Sequence, residues 1–325
     1  MKILHIFSSK VFAGLERHVE ELAFEQSKEN SVLVIGPVKF EEQFRANYKA
    51  INMNQWRWSP FLNCELRKAI VQYAPDVVHT HGYKSTALIA NKQNDFIHIA
   101  TIHGTKKKIK AFENADYVFG ASKKSIENVK SIKKSVLENW VDESRLENFK
   151  KGASDRYIFI GRLEPVKNPM RLVKAWKNIP HQLEIYGQGK LENEIKNFIM
   201  SNNLSDKIKM MGSEPDLNKI LKNAKAILIP SDREGSPKIL FEALCCKIPV
   251  FSTSVGVMPD LLSSDCLCEP NDKSFQYMLE NKLKDIDLIH QNNEDLYELV
   301  KSKFTLKQQC AEVMRVYQAL LSRAS

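Results

Sequence analysis

Ala226-Ile227-Leu228-Ile229-Pro230-Ser231-Asp232-Arg233-Glu234-Gly235-Ser236-Pro237-Lys238-Ile239-Leu240-Phe241-Glu242-Ala243-Leu244 runs from an unbroken apolar tetrad through a polar turn into an amphipathic segment. A strand buried on both faces of a parallel sheet reads as a continuous apolar run, whereas a half-solvated strand alternates. The tetrad at 226–229 is therefore expected to be a central parallel strand. Proline is favoured in the first helical turn, so a helix is expected from near Ser236, with Glu234 in the loop before it. Such a loop lies beyond the carboxyl end of a strand, where open parallel sheets bind ligands. The exposed N–H groups of the first turn suit a diphosphate, which places Gly235, Ser236, Pro237 and Lys238 beside it. Glu234 and Glu242 would flank the anion and accept hydrogen bonds from sugar and ribose hydroxyls.

The same alternation of short apolar runs and amphipathic stretches extends both ways from this segment and predicts parallel strands joined by crossover helices. Before it, strands are expected at 2–7, 31–36, 76–80, 96–102 and 117–121, with a helix over 15–28 whose Leu15, Val19, Leu22 and Ala23 share one face. Further strands are expected at 157–160, 182–186, 208–211, 250–252 and 267–269, and a closing helix over 306–321. Residues 143–155 are polar and aperiodic, which puts a domain boundary at 150/151. At 325 residues the chain exceeds what one core usually serves. The expectation is two Rossmann-like, doubly wound α/β domains facing a cleft, 1–150 and 151–325, with the last helix packing back on the first.

Hydrophobic residues make up 43% and charged residues 27% of the chain, the balance of a globular protein without a disordered or fibrous tract. No apolar run approaches the roughly 18 residues of a membrane-spanning helix, and Ile3–Phe7 is too short for a signal-peptide core, so a cytoplasmic location is expected. The six cysteines include no Cys-x-x-Cys pair, which favours buried thiols over a metal or redox centre. Net charge is +9, and nine lysines crowd residues 105–134. Charge alone does not choose among a nucleic acid, an anionic membrane surface, a phosphorylated acceptor and an ordinary solvated face.

The first strand is not followed by Gly-x-Gly-x-x-Gly, which counts against a nicotinamide or flavin enzyme. Instead Ala13-Gly14-Leu15-Glu16-Arg17 opens the first helix, where N–H groups and the helix dipole can hold a phosphate. Thr101-Ile102-His103-Gly104 and Val77-Val78-His79-Thr80-His81-Gly82 put histidines at strand ends. One of His79 and His81 is a candidate for acceptor binding. Their spacing suits zinc, but the sequence places no third ligand. Trp56-Arg57-Trp58-Ser59-Pro60-Phe61 combines aromatic and basic side chains, a composition suited to a membrane interface, a sugar platform or, for at least one tryptophan, the core.

The Glu234-x7-Glu242 segment resembles family 4 of the glycosyltransferases, whose members share the GT-B fold. Gly161-Arg162-Leu163-Glu164-Pro165-Val166-Lys167-Asn168 is similar to the family's Gly-Arg-Leu…Lys segment, and the resemblance implies that Arg162 and Lys167 neutralise the donor diphosphate. It likewise makes Gly14 part of the family's Gly-Gly-x-Glu-Arg loop, with Ala13 replacing the first glycine. His103 becomes the strand-end histidine that approaches the donor sugar, Gly187 part of a Gly-x-Gly loop near the nucleoside, and Gly212 a backbone contact to the base. Leu137–Asp142 is similar to an interdomain Pro-Asn-Gly-Val-Asp, with Glu138 and Trp140 replacing the proline and glycine.

The resemblance implies retaining, metal-independent transfer of a hexose-type sugar from a nucleotide donor, UDP-sugar favoured, with His103, Glu234, Arg162 and Lys167 catalytic and no cofactor. The partner it implies is a glycan or lipid-linked acceptor; the lysine-rich segment adds a candidate anionic membrane surface at the inner face of the cytoplasmic membrane, and no nucleic acid is expected. Bacterial lipopolysaccharide, capsule or other surface-polysaccharide assembly is the expected setting. The alternatives are a GT-B sugar-nucleotide epimerase and a catalytically silent protein of the membrane surface.

Overall fold

The computed structural model describes residues 1–89, 95–104, 108–130, 133–153 and 155–324. It divides into two compact units, Met1–Asn139 with Leu306–Ser325, and Trp140–Thr305. The change of unit comes ahead of the polar stretch at 143–155. Val141 already belongs to the second unit, since its N–H donates to the Phe304 carbonyl at 2.8 Å and Trp140 beside it is fully buried.

Among the described residues the first unit holds a parallel sheet of β1 (Lys2–Phe7), β2 (Ser31–Gly36), β3 (Asn47–Ala50), β4 (Val77–His81), β5 (Ile97–Ile102), β6 (Tyr117–Gly120) and β7 (Lys134–Val136). Their order is β3-β2-β1-β4-β5-β6-β7. The second unit holds β8 (Arg156–Ile160), β9 (Gln182–Tyr186), β10 (Ile208–Gly212), β11 (Ala224–Ile229), β12 (Val250–Thr253) and β13 (Leu267–Cys268), in the order β10-β9-β8-β11-β12-β13. All pairings named in both sheets are parallel.

Each sheet starts at its centre, winds one way, then returns to the other side of its first strand. The strand order therefore reverses between β1 and β4 in one sheet and between β8 and β11 in the other. Loops leaving two adjacent strands at such a point run to opposite faces of the sheet and leave a crevice beyond the strand ends.

The central strands form because both their faces are covered. Ile227 and Leu228 are fully buried, each contributing about 1.5–3 kcal/mol relative to exposure. Around them pack Phe241, Leu244, Phe251 and Trp176, and the Trp176 indole N–H is satisfied by the His181 carbonyl at 2.8 Å. In the first unit the helix Gly14–Ser27 buries Val19, Leu22 and Ala23. The closing helix Leu306–Ala324 lies in this unit.

No helix among the described residues is long and apolar enough to cross a membrane. The six cysteines are free thiols, and burial raises those of Cys246 and Cys310 to about 12. Lys106 and Lys107 of the lysine-rich segment lie outside the described residues. Lys134 leaves the exposed set, because its ammonium donates to the carbonyls of Ile126 and Val129 at 3.0 and 2.5 Å.

Candidate functional site

In the second unit the segments Gly161–Lys167, Gly187–Gly189, Ser231–Pro237 and Ser254–Val257 follow β8, β9, β11 and β12 and interlock through backbone. The Gly161 N–H donates to the Tyr186 carbonyl at 3.0 Å, that of Leu163 to Gln188 at 2.9 Å, and that of Gly187 to Gly212 at 2.7 Å. The Asp232 N–H donates to Val166 at 3.0 Å, and that of Val257 to Gly235 at 2.9 Å.

Gly187 carries φ +136°, and a Cβ there would lie 1.8 Å from the Gly161 carbonyl oxygen. Gly187→Ala is therefore expected to push two loops apart and to cost about 3 kcal/mol, since strain and overpacking act together. Urea unfolding reads that loss.

The helix of the opening motif is Lys238–Cys245, with Pro237 as its extended N-cap at φ −72° and ψ 133°. It starts two residues later than expected, and Glu234 lies in the preceding loop. The Lys167 ammonium donates to both Glu234 carboxylate oxygens, at 2.6 and 2.8 Å, and the Ser231 hydroxyl donates to Oε1 at 2.6 Å. The catalytic candidates Glu234 and Lys167 thus form one charge-compensated pair instead of two separate groups. Arg162 is exposed, and its guanidinium makes no ion pair or hydrogen bond to a described residue.

Glu242 is buried on the helix, with Oε1 receiving the Arg145 guanidinium at 2.7 Å. Lys238 is also buried, its ammonium 4.7 Å from the centre of the Trp140 ring and 3.4 Å from the Trp140 carbonyl. Ser236 is buried beside it, and Gly212 has φ +73° with open space where a Cβ would stand.

Two arginines that sequence reasoning missed hold this site together. Arg171 is 5% exposed and donates to the Pro230 carbonyl at 2.7 Å, Asp232 at 2.7 Å, Asp272 at 3.0 Å and the Pro270 carbonyl at 3.0 Å. It fixes the loop after β11 to the start of the helix Asp272–Lys282. Arg145 comes from the polar stretch at 143–155, whose composition points only to a linker.

In the first unit Gly14 starts the helix Gly14–Ser27, and the Glu16 carboxylate accepts the Ala13 N–H at 2.7 Å. Ala13 has extended backbone, φ −148° and ψ −152°, which any residue adopts, so the missing glycine costs nothing there. A Cβ on Gly14 would meet no atom within 4 Å.

His103 is half-buried just past β5, with Nε2 3.2 Å from His81 Nδ1. His79 and His81 are buried, because β4 is covered on both faces, and this corrects the candidacy of one of them for acceptor binding. His79 spends both nitrogens inside, on Tyr317 at 2.5 Å and Thr101 at 2.6 Å. Burial holds His5 down to about 4 and lowers His79 and His81 well below the usual imidazole range, with their histidine neighbours adding to the shift.

Residues 141–301 match the family described as "Glycosyl transferases group 1", and residues 12–145 match "Glycosyltransferase Family 4". The chain is 28% identical over 277 residues to an uncharacterized glycosyltransferase of Methanocaldococcus jannaschii, covering 75% of this chain and 76% of that one. It is 25% identical over 291 residues to a Campylobacter jejuni alpha-1,4-N-acetyl-D-galactosaminyltransferase whose named substrate is a diNAcBac-PP-undecaprenol glycan, covering 78% and 79%. The crystal structure of Anabaena HepE in complex with UDP superposes with a TM-score of 0.85 at 14% identity, covering 98% of this chain and all of that one.

Proposed function

The chain belongs to the family 4 glycosyltransferases and has their GT-B fold, and on that footing we propose that it transfers a hexose-type sugar, with retention, from a UDP-sugar to a hydroxyl of a lipid-linked glycan. Assembly of a bacterial surface polysaccharide such as lipopolysaccharide or capsule is the setting proposed. The observation that carries this reading is the Lys167–Glu234 pair, held at 2.6 and 2.8 Å in the loops that follow β8 and β11.

As the bond from the anomeric carbon to the β-phosphate oxygen breaks, negative charge grows on the leaving diphosphate. Arg162 and Lys167 stabilise that charge, with the N–H groups of Gly235, Ser236 and Lys238. The acceptor oxygen bonds to the same face of the anomeric carbon, and its proton passes to the departing phosphate oxygen. Glu234 accepts hydroxyl hydrogen bonds from the transferred sugar and aims Lys167, and His103 is proposed as a further catalytic contact to the sugar. Gly14 offers an open helix start to an anionic group, Gly187 and Gly212 border the nucleoside, and Pro237 sets the entry into the helix. The step assigns no metal and no cofactor.

Glu242 is the proposed ribose ligand, through the carboxylate oriented by Arg145. Glu242→Ala is expected to weaken UDP binding about tenfold, the worth of one charge-assisted hydrogen bond. Calorimetric titration with UDP, GDP and ADP reads this: the ribose is common to all three, so a similar loss of affinity for each supports the assignment, and unchanged UDP affinity rejects it.

The aromatic segment around the start of the helix Pro60–Tyr73 favours a peripheral location at the inner face of the cytoplasmic membrane. Trp56, Trp58 and Phe61 are 72%, 57% and 80% exposed, and the Arg57 guanidinium lies 4.6 Å from the Trp58 ring centre. Such side chains settle at the headgroup level of a bilayer. Replacing all three aromatics with alanine is expected to abolish co-flotation with vesicles containing anionic lipid; flotation equal to wild type would remove this assignment.

A further inference from the structure

We propose that His18, His81 and His103 form a binding site for a divalent first-row transition metal, zinc or a chemical equivalent. The three rings come from the helix Gly14–Ser27, the end of β4 and the residue after β5, and each offers a nitrogen within 4.8 Å of the other two. Two nitrogens bound at 2.0–2.1 Å to a tetrahedral zinc ion stand about 3.3 Å apart. His81 Nδ1 and His103 Nε2 are 3.2 Å apart already.

The hydrogen bonds behind these rings set which nitrogen carries the lone pair. The Gln26 side-chain oxygen accepts from His5 Nε2 at 2.6 Å, so that nitrogen bears the proton and His5 Nδ1 is an acceptor. His81 Nε2 then donates to His5 Nδ1 at 3.0 Å, which leaves His81 Nδ1 as the lone pair directed at His103. The Asn139 oxygen accepts from His18 Nδ1 at 2.9 Å and makes Nε2 the basic nitrogen of that ring. Metal-bound histidines are oriented in this way by acceptors on their second nitrogen.

A second triad, His5, His79 and His81, is equally close, but it is not a ligand set. Its His79 nitrogens are both committed, to Tyr317 and Thr101, and binding a metal would break a buried hydrogen bond. The His18 triad differs also in access, since His103 is half-buried whereas His5 and His79 are fully enclosed. Three imidazole ligands suit zinc, cobalt, nickel or copper better than magnesium or calcium.

The test uses the full chain, purified with a chelator and then desalted. Titration with Zn²⁺ by calorimetry and with Co²⁺ by visible absorption is expected to saturate at one equivalent, with a tetrahedral cobalt spectrum. His18→Ala and His103→Ala are each expected to weaken binding by more than about 100-fold, and Asn139→Ala by about 10- to 100-fold through the loss of ring orientation. His181→Ala, in the second unit, is the control and should bind as wild type. Circular dichroism checks folding, and half-buried His103 carries the test if His18→Ala does not fold. Absence of stoichiometric uptake by wild type, or undiminished uptake by folded His103→Ala, overturns the site.

One consequence rests on the transfer reading: zinc on His103 Nε2 is expected to slow transfer at least tenfold, reversibly with EDTA. Uptake without inhibition would sustain the metal site and remove His103 from the transfer step. Transfer without uptake would remove the metal site and leave the transfer reading standing.

Discussion

Glu234→Ala is expected to lower kcat by about 100- to 1,000-fold, roughly 3–4 kcal/mol, the range for losing one preorganised polar contact in a transition state. Two effects act in the same direction. The carboxylate no longer meets the sugar hydroxyls, and the Lys167 ammonium loses the partner that holds it at 2.6 Å. The Ser231 hydroxyl, which donates to the same carboxylate at 2.6 Å, loses its acceptor too. Initial-rate measurement at saturating donor separates this loss from a binding defect, because an interaction made only in the transition state lowers kcat and kcat/KM together. Turnover within a few-fold of wild type would remove Glu234 from the chemistry.

The second large effect concerns stability. Arg171→Leu is expected to cost about 3 kcal/mol, because it leaves the carbonyls of Pro230 and Pro270 without a donor and removes the buried guanidinium that pairs with two half-exposed carboxylates. Asp232 and Asp272 are 44% and 60% exposed and regain water, which keeps the loss below that of two stranded carboxylates. Trp140 and Trp176, both buried in the second unit, report its unfolding by fluorescence in urea. Arg162→Leu is the matched comparison: its guanidinium is exposed and makes no ion pair to a described residue, so the midpoint should move by no more than about 0.5 kcal/mol. Equal midpoints for Arg171→Leu and wild type would contradict the anchoring role.

The central strands were legible because each is covered on both faces and reads as an apolar run, Ala-Ile-Leu-Ile at 226–229 above all. Strands β3 (Asn-Tyr-Lys-Ala) and β7 (Lys-Ser-Val) were not, since edge strands are half-solvated and carry no such signal. The loop position of Glu234 followed from Gly235 and Pro237. Its pairing with Lys167 did not, because the two stand 67 residues apart and only the β8–β11 adjacency joins them. Arg171 was hidden by its surroundings: a single arginine in Pro169–Ala175 looks like a solvated position until Asp232, Asp272 and two carbonyls close on it. His79 and His81 were visible as a pair at a strand end. Their burial, and the approach of His5, His18 and His103, came only with the order of β1, β4 and β5 and the helix Gly14–Ser27.

The central claim is retaining transfer from a nucleotide sugar at the Glu234 site. Proton NMR of reactions holding α-linked UDP-sugars and an undecaprenyl-diphosphate-linked acceptor tests it most directly, followed in wild type and Glu234→Ala. Wild type is expected to consume a UDP-sugar only when acceptor is present and to yield an α-linked product, at a rate cut about 100-fold or more in the variant. A β-linked product, or donor conversion that proceeds without acceptor, would contradict the account.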